Sequence, residues 1–295
     1  MMRATSIATL LVLLGACGND PDAPPGPQAP DAPAGAPRPA IPAATGTCPT
    51  LVNGDVTFAP AGMAPRRVKL ALDPGATVSG ELVLYWHATG SGPFEAAYSL
   101  GATQAAIVAA GGVVATPYAD PAAGQFEWFI VNGSEVQDDF VLADEIVACL
   151  AAAGRIDPLH VHAMGMSAGG LQTTALAFLR SSYVASVATY SGGLPAGFEA
   201  PPAADPANKY AALIFDGGAS DNVFGVDFHA ASARFRAALV AAGHFAASCD
   251  HGKGHNIPLD AAPSVAAFFT ANGFGAWPSP YASGLPATFP SYCAR

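Results

Sequence analysis

Residues 159–170, Leu-His-Val-His-Ala-Met-Gly-Met-Ser-Ala-Gly-Gly, restrict the fold more than any other part of the chain. They read as a short strand over residues 160–164 running straight into Gly165-Met166-Ser167-Ala168-Gly169, the G-x-S-x-G pattern in which a serine sits on a strained strand-to-helix turn. Glycines are expected at 165 and 169 because so tight a turn leaves no room for Cβ atoms. Alone, the pattern is weak, since a chain with 32 glycines supplies such spacings by chance. Its weight depends on what surrounds it.

The surroundings alternate. Residues 67–72 (Arg-Val-Lys-Leu-Ala-Leu) switch between polar and apolar like a half-exposed strand, whereas 81–86 (Glu-Leu-Val-Leu-Tyr-Trp) and 112–116 are continuous runs suited to central strands. Between the last two, residues 96–110 have helical composition. Asp138 and Asp139 are placed to cap a helix that Gly154 ends. After the elbow come a helix over 171–180, strands over 184–190 and 211–215, a helix over 229–242, a strand over 245–249 and a helix over 263–272. Repeated alternation implies the α/β class: a mostly parallel sheet with helices on both faces and function at the carboxyl ends of its strands. With 51% hydrophobic residues, the chain can bury one large core. Its net charge of −10, with basic residues scattered, argues against a nucleic-acid partner.

The N-terminus reads as a targeting segment. Arg3, an apolar run and Leu14-Gly15-Ala16-Cys17 resemble a bacterial lipoprotein signal over residues 1–16, with Cys17 as the lipidated residue of an exported, membrane-anchored or secreted protein. Residues 17–47 hold nine prolines after Cys17 and no apolar periodicity, so a disordered tether is expected there, with the domain spanning 48–295.

An activated serine needs a histidine to take its proton and an acid to fix that histidine's tautomer. After the last expected strand, Cys249-Asp250-His251-Gly252-Lys253-Gly254-His255 offers His255 as base, with His251 in reserve. A metal site is not expected, because this glycine-rich loop does not put the pair on one helical face. His160 and His162 alternate along the elbow strand, so at least one should be a packed histidine; His229 and His244 flank a helix. For the acid, Asp216 ends a strand and Asp221 lies out in the following loop, nearer to where a histidine from the next strand arrives. Asp221 is preferred and Asp216 stays open. Backbone N–H groups for an oxyanion hole are expected from Ala168 and from either Ala88 or Thr89 in the small-residue loop His87-Ala88-Thr89-Gly90.

Tyr85-Trp86-His87-Ala88-Thr89-Gly90, Gly165-Met166-Ser167-Ala168-Gly169-Gly170 and the Cys249-to-Pro258 stretch together resemble secreted polyhydroxybutyrate depolymerases and the related feruloyl and acetylxylan esterases, over residues 68–269. The resemblance implies an α/β-hydrolase fold without a cofactor, acting on an ester substrate, polymeric or small, with Ser167, Asp221 and His255 on the triad positions. The chain departs from that family where Asp216-Gly217 stands in place of His-Gly. A serine peptidase of the same fold and an inactive surface lipoprotein are the alternatives. Tyr85, Trp86, Phe94, Trp128 and Phe129 are candidate aromatic walls, with core packing the alternative. Besides Cys17 there are four cysteines, an even number suited to an oxidising compartment. Cys48 with Cys293 would close the longest loop. That leaves Cys149 and Cys249, a doubtful pair, and Cys149 also reads as a buried small hydrophobe.

Overall fold

The structure is a computed structural model and describes residues Pro37–Arg295. The leader and the lipidated cysteine expected at Cys17 lie outside the described residues.

The first strand, β1 (Gly54–Phe58), pairs antiparallel with β2 (Arg66–Ala71), in which Arg66, Val68 and Leu70 point inward while Arg67 and Lys69 face solvent. β3 (Gly80–Trp86) follows, then two short helices, α1 (Glu95–Leu100) and α2 (Ala102–Ala109). One helix was expected over residues 96–110. It is split because Gly101 takes φ +52° and ψ −132°, which an α-helix cannot hold. β4 (Val113–Pro117), α3 (Asp138–Ala152), β5 (Ile156–Met166), α4 (Ala168–Leu179), β6 (Ser186–Tyr190) and β7 (Ala211–Asp216) continue the alternation. A small hairpin, β8 (Asn222–Val223) and β9 (Val226–Asp227), leads into α5 (Phe228–Ala241), β10 (Phe245–Asp250), α6 (Ala262–Ala271) and β11 (Cys293–Ala294).

Nine of these strands form one sheet in the order β1-β2-β4-β3-β5-β6-β7-β10-β11, parallel from β4 to β10 and antiparallel at both edges. Alternate side chains enter opposite cores, as a sheet covered on both faces requires. In β3, Leu82, Leu84 and Trp86 join one apolar cluster, and Val83 and Tyr85 the other. The mostly parallel sheet covered by helices on both faces, expected from the alternation, is therefore the one observed. Trp86, Tyr85 and Trp128 are fully buried core residues, and Phe129 nearly so, which removes them as cavity walls.

The N-terminal boundary and the disulfides differ from expectation for one shared reason. Residues 37–47, assigned to the tether, pack on the domain. Ala40 N–H donates to Ser182 O, and the Glu145 carboxylate accepts Thr45 N–H (2.7 Å), Thr45 Oγ1 (2.9 Å) and Gly46 N–H (2.9 Å). Glu145 lies one helical turn before Cys149 in α3, so this docking sets Cys48 over Cys149, and the two are bonded. The expected Cys48–Cys293 bridge is thus corrected. Cys293 lies on β11, directly opposite Cys249 in the antiparallel pairing with β10, and bonds to it. A second correction concerns α3. Its N-cap is Gln137, and Asp139 does not cap. It is buried, accepting N–H groups from Arg66 (Nη1, 3.0 Å) and Phe129 (2.7 Å).

β3 also begins with a misplaced charge. Burial raises the Glu81 carboxyl from 4.5 to about 7, partly offset by the Thr270 hydroxyl 3.4 Å away. The folded chain then binds a proton here that the unfolded chain releases at lower pH. Stability from this group is full below pH 4.5 and is lost as pH rises through 7. Partial solvent access limits the effect to about 2 kcal/mol. Glu81→Gln is expected to flatten the decline, and thermal unfolding of both proteins between pH 5 and 8 checks it; parallel curves would contradict the assignment.

Candidate active site

β5 delivers Ser167 to the carboxyl end of the sheet, and α4 starts at the next residue. Ser167 has φ +56° and ψ −120°, a conformation that costs a non-glycine residue strain and is held only because the surroundings overdetermine it. Its N–H donates to Tyr190 O, and its carbonyl accepts from Leu171 N–H. A Cβ on Gly169 would overlap Trp86 O, and one on Gly165 would overlap Gly169 O. The glycines therefore let β3, β5 and α4 approach closely, as the local sequence suggested.

Ser167, His255 and Asp221 come together from three separate connections. His255 Nε2 is 2.9 Å from Ser167 Oγ and its Nδ1 is 2.7 Å from Asp221 Oδ1. A carboxylate at Nδ1 fixes the Nδ1–H tautomer, which leaves the Nε2 lone pair to accept the serine proton. Phe228 packs against the imidazole at 4.7 Å between centroids. Asp221 is fully buried. Burial alone would push its carboxyl up, but hydrogen bonds from His255, from Gly217 N–H (2.9 Å) and from Ser191 Oγ (2.8 Å) outweigh this and hold it below the ordinary carboxylate range. Ser191, just past β6, is itself buried with φ +46°. No motif marked it in the sequence.

The reserve residues are placed elsewhere. Asp216 Oδ1 is 2.6 Å from His229 Nδ1 and accepts Gly218 N–H, so it is occupied away from His255. His251 Nδ1 accepts Lys253 N–H, and its backbone N–H zips the histidine loop to Asp216 O. His162 is wholly buried, hydrogen-bonded to Ser186 Oγ at 2.8 Å and stacked on Phe269; burial holds its pKa well below the ordinary value. His244 Nδ1 lies 3.1 Å from Tyr210 O. Among the described residues, Asp216, His229 and Asp250 bring three potential ligand atoms within 4.8 Å of one another and are the group whose chemistry suits a metal ion. The Asp216–His229 hydrogen bond accounts for two of them, and Asp250 Oδ1 accepts Gly252 N–H.

The loop after β3 narrows the oxyanion choice. Ala88 N–H donates to both Glu95 carboxylate oxygens (3.0 and 3.2 Å), which rules it out as a donor to substrate. Gly90 N–H donates to Glu127 (2.8 Å), and His87 O accepts from Trp128 Nε1 (2.9 Å). These bonds clamp the loop on both sides of Thr89, whose N–H has no partner among the described residues. Ala168 N–H, at the first position of α4, is one of the helix's unpaired donors. Thr89, Ser167 and Ala168 together line a cavity of about 240 Å³ whose walls are otherwise almost wholly apolar. Its aromatic walls, Phe126, Phe198, Phe224 and Phe228, were missed by sequence reasoning because they come from three separate stretches, after β4, after β6 and from the β8–β9 hairpin into the start of α5. Phe94, the one exposed member of the expected aromatic set, does not line it.

No protein-family model matches the chain, and no curated protein matches it. Solved structures do. Native pOPH is 14% identical with a TM-score of 0.63, covering 84% of this chain and 95% of that chain. An esterase of Pyrobaculum calidifontis is 15% identical with a TM-score of 0.53, over 73% of this chain and 83% of that one. An acylaminoacyl peptidase of Pyrococcus horikoshii is 11% identical with a TM-score of 0.52, over 74% of this chain and 41% of that one. At such identities the likeness shows a shared α/β-hydrolase fold.

Proposed function

We propose that the protein is a serine carboxylic ester hydrolase working through an acyl-enzyme on Ser167. The observation that carries the reading is the 2.9 Å contact between Ser167 Oγ and His255 Nε2 in line with the 2.7 Å contact from His255 Nδ1 to Asp221. His255 takes the hydroxyl proton as Ser167 Oγ bonds to the ester carbonyl carbon. The carbonyl oxygen becomes an oxyanion that Ala168 N–H and Thr89 N–H stabilise. Collapse breaks the bond to the alcohol, which leaves with the proton from His255. Water, deprotonated by the same imidazole, then attacks the acyl-enzyme, and Ser167 recovers its proton as the acid departs. The Asp221 carboxylate stabilises the imidazolium in both halves.

This proposal places the enzyme outside the cytoplasm, tethered through a lipid on Cys17 and acting on carboxylic esters; polyhydroxyalkanoate, feruloyl and acetyl esters are the candidates that the family resemblance supplies. The two disulfides support export. No helix among the described residues is long and apolar enough to cross a membrane. Incubation with a fluorophosphonate tests the enzyme reading, since labelling should fall on Ser167. Comparing a p-nitrophenyl ester with the matching p-nitroanilide separates esterase from peptidase, and faster cleavage of the anilide would overturn the ester assignment.

Ser191 acts in this scheme as a positioning residue, because its hydroxyl and Gly217 N–H together fix Asp221 Oδ2. Hydrogen bonds to charged groups contribute about 1.5–3 kcal/mol. Ser191→Ala is expected to lower kcat at least tenfold while KM stays within about twofold, the pattern of a group that acts mainly in the transition state. Steady-state kinetics reads this directly, and an unchanged kcat would show that Gly217 alone suffices.

A further inference from the structure

We infer that the cavity beside Ser167 is an acyl pocket selecting a neutral, apolar acyl chain of about eight carbons, and discriminating against acetyl and against chains that carry a charge. The inference rests on the ester-hydrolase reading and adds the substrate class to it.

Its direction follows from which groups face the cavity. Ser167, Ala168 and Thr89 line it, whereas His255 does not. A leaving alcohol must lie against His255 Nε2 to receive its proton. With the oxyanion on Ala168 and Thr89, the remaining substituent of the tetrahedral carbon, the acyl chain, points into the cavity.

Its chemistry follows from what the walls offer. Phe126, Ile130, Leu171 and Leu194 present hydrocarbon only. Thr174 looks polar in sequence, but its hydroxyl donates to Gly170 O (2.9 Å) and accepts Gly193 N–H (2.9 Å), leaving its methyl for the substrate. Glu199 is the charged residue of the lining, and no cation accompanies it there. A carboxylate carried into this space would lose its water without a partner and would meet a like charge.

Its length follows from volume. About 240 Å³ holds about eight groups the size of a water molecule or methylene, taking about 30 Å³ for each. Acetyl would leave most of this apolar space unfilled. At the rim, Phe224 (69% exposed) and Phe198 (54% exposed) extend the apolar path outward. Phe224 sits at the tip of the β8–β9 hairpin with φ +53° and meets Phe126 edge-on at 5.6 Å.

Burying each methylene favours the transition state by about fourfold. The test holds the leaving group constant: p-nitrophenyl acetate, butyrate, octanoate and laurate, together with the mono-p-nitrophenyl ester of suberic acid, which has the octanoate length and a terminal carboxylate. The expected result is a kcat/KM for octanoate at least a hundredfold above acetate, against a ceiling of about four-thousandfold if all six added methylenes were fully buried, with laurate no better than octanoate and the suberate ester at least tenfold below octanoate. Ala175→Phe puts a ring into the cavity from α4 and should bring the octanoate-to-acetate ratio down at least tenfold. A flat series, an acetate optimum, or equal rates for suberate and octanoate in the unmodified protein would overturn the inference, whatever the variant does. Acetate turned over as fast as octanoate, with Ser167 labelled by fluorophosphonate, leaves the hydrolase reading standing while the pocket assignment falls. No turnover of any ester and no labelling removes both.

Discussion

Ser167→Ala is expected to lower kcat for ester hydrolysis by roughly five to six orders of magnitude and to abolish fluorophosphonate labelling. The size of the effect reflects the scheme as a whole: without Oγ there is no acyl-enzyme, and His255 and Asp221 are left with nothing to activate but water. Residual rate above the uncatalysed reaction would come from the oxyanion donors, which the substitution leaves in place. Alanine fits the site, because the elbow's packing depends on Gly165 and Gly169 and the serine hydroxyl's one contact is with His255. A stably folded Ser167→Ala protein that still cleaves esters within a hundredfold of the parent rate would remove the serine mechanism.

Asp221→Asn should reduce kcat by about ten-thousandfold, while Asp216→Asn should stay within about threefold of the parent. An amide at 221 can donate to His255 Nδ1, turning the ring to the tautomer whose Nε2 carries the proton and cannot accept one from Ser167. It also removes the charge that steadies the imidazolium. Asp216 is bonded instead to His229, whose pKa is raised chiefly by that hydrogen bond and which is about half exposed. The two carboxylates lie five residues apart at the end of one strand, so the pair of variants is a direct comparison. Equal losses, or a larger one at 216, would reverse the assignment.

The parts of this molecule that could be read from the sequence are those written within single short segments. Continuous apolar runs marked β3, β6 and β7 because strands buried on both faces need side chains that suit both. The elbow and the histidine loop were visible because each combines a reactive residue with glycines that a tight turn demands. What stayed hidden depends on distant segments meeting. Glu95 takes the Ala88 N–H and so singles out Thr89, yet nothing around Glu95 announces that reach. Ser191 matters through Asp221, thirty residues on. The cavity's phenylalanines come from three separate stretches with no shared periodicity. The cysteine partners followed from the path of residues 37–47 over α3 and from a terminal strand of two residues, too short for any pattern.

That cysteine arrangement has a mechanical consequence. Suppose tension enters through the segment ahead of Cys48 and is resisted at the chain's far end. The load crosses from Cys48 to Cys149, follows the backbone to Cys249, and leaves through Cys293. Residues 49–148 and 250–292 form slack loops outside this path, so the oxyanion loop at Thr89 and the base at His255 carry no backbone strain, whereas the nucleophile and its acid lie on the stressed stretch. Pulled by its ends, the oxidised chain can lengthen only by what lies between Cys149 and Cys249 and beyond the outer two cysteines, and reduction would free the rest.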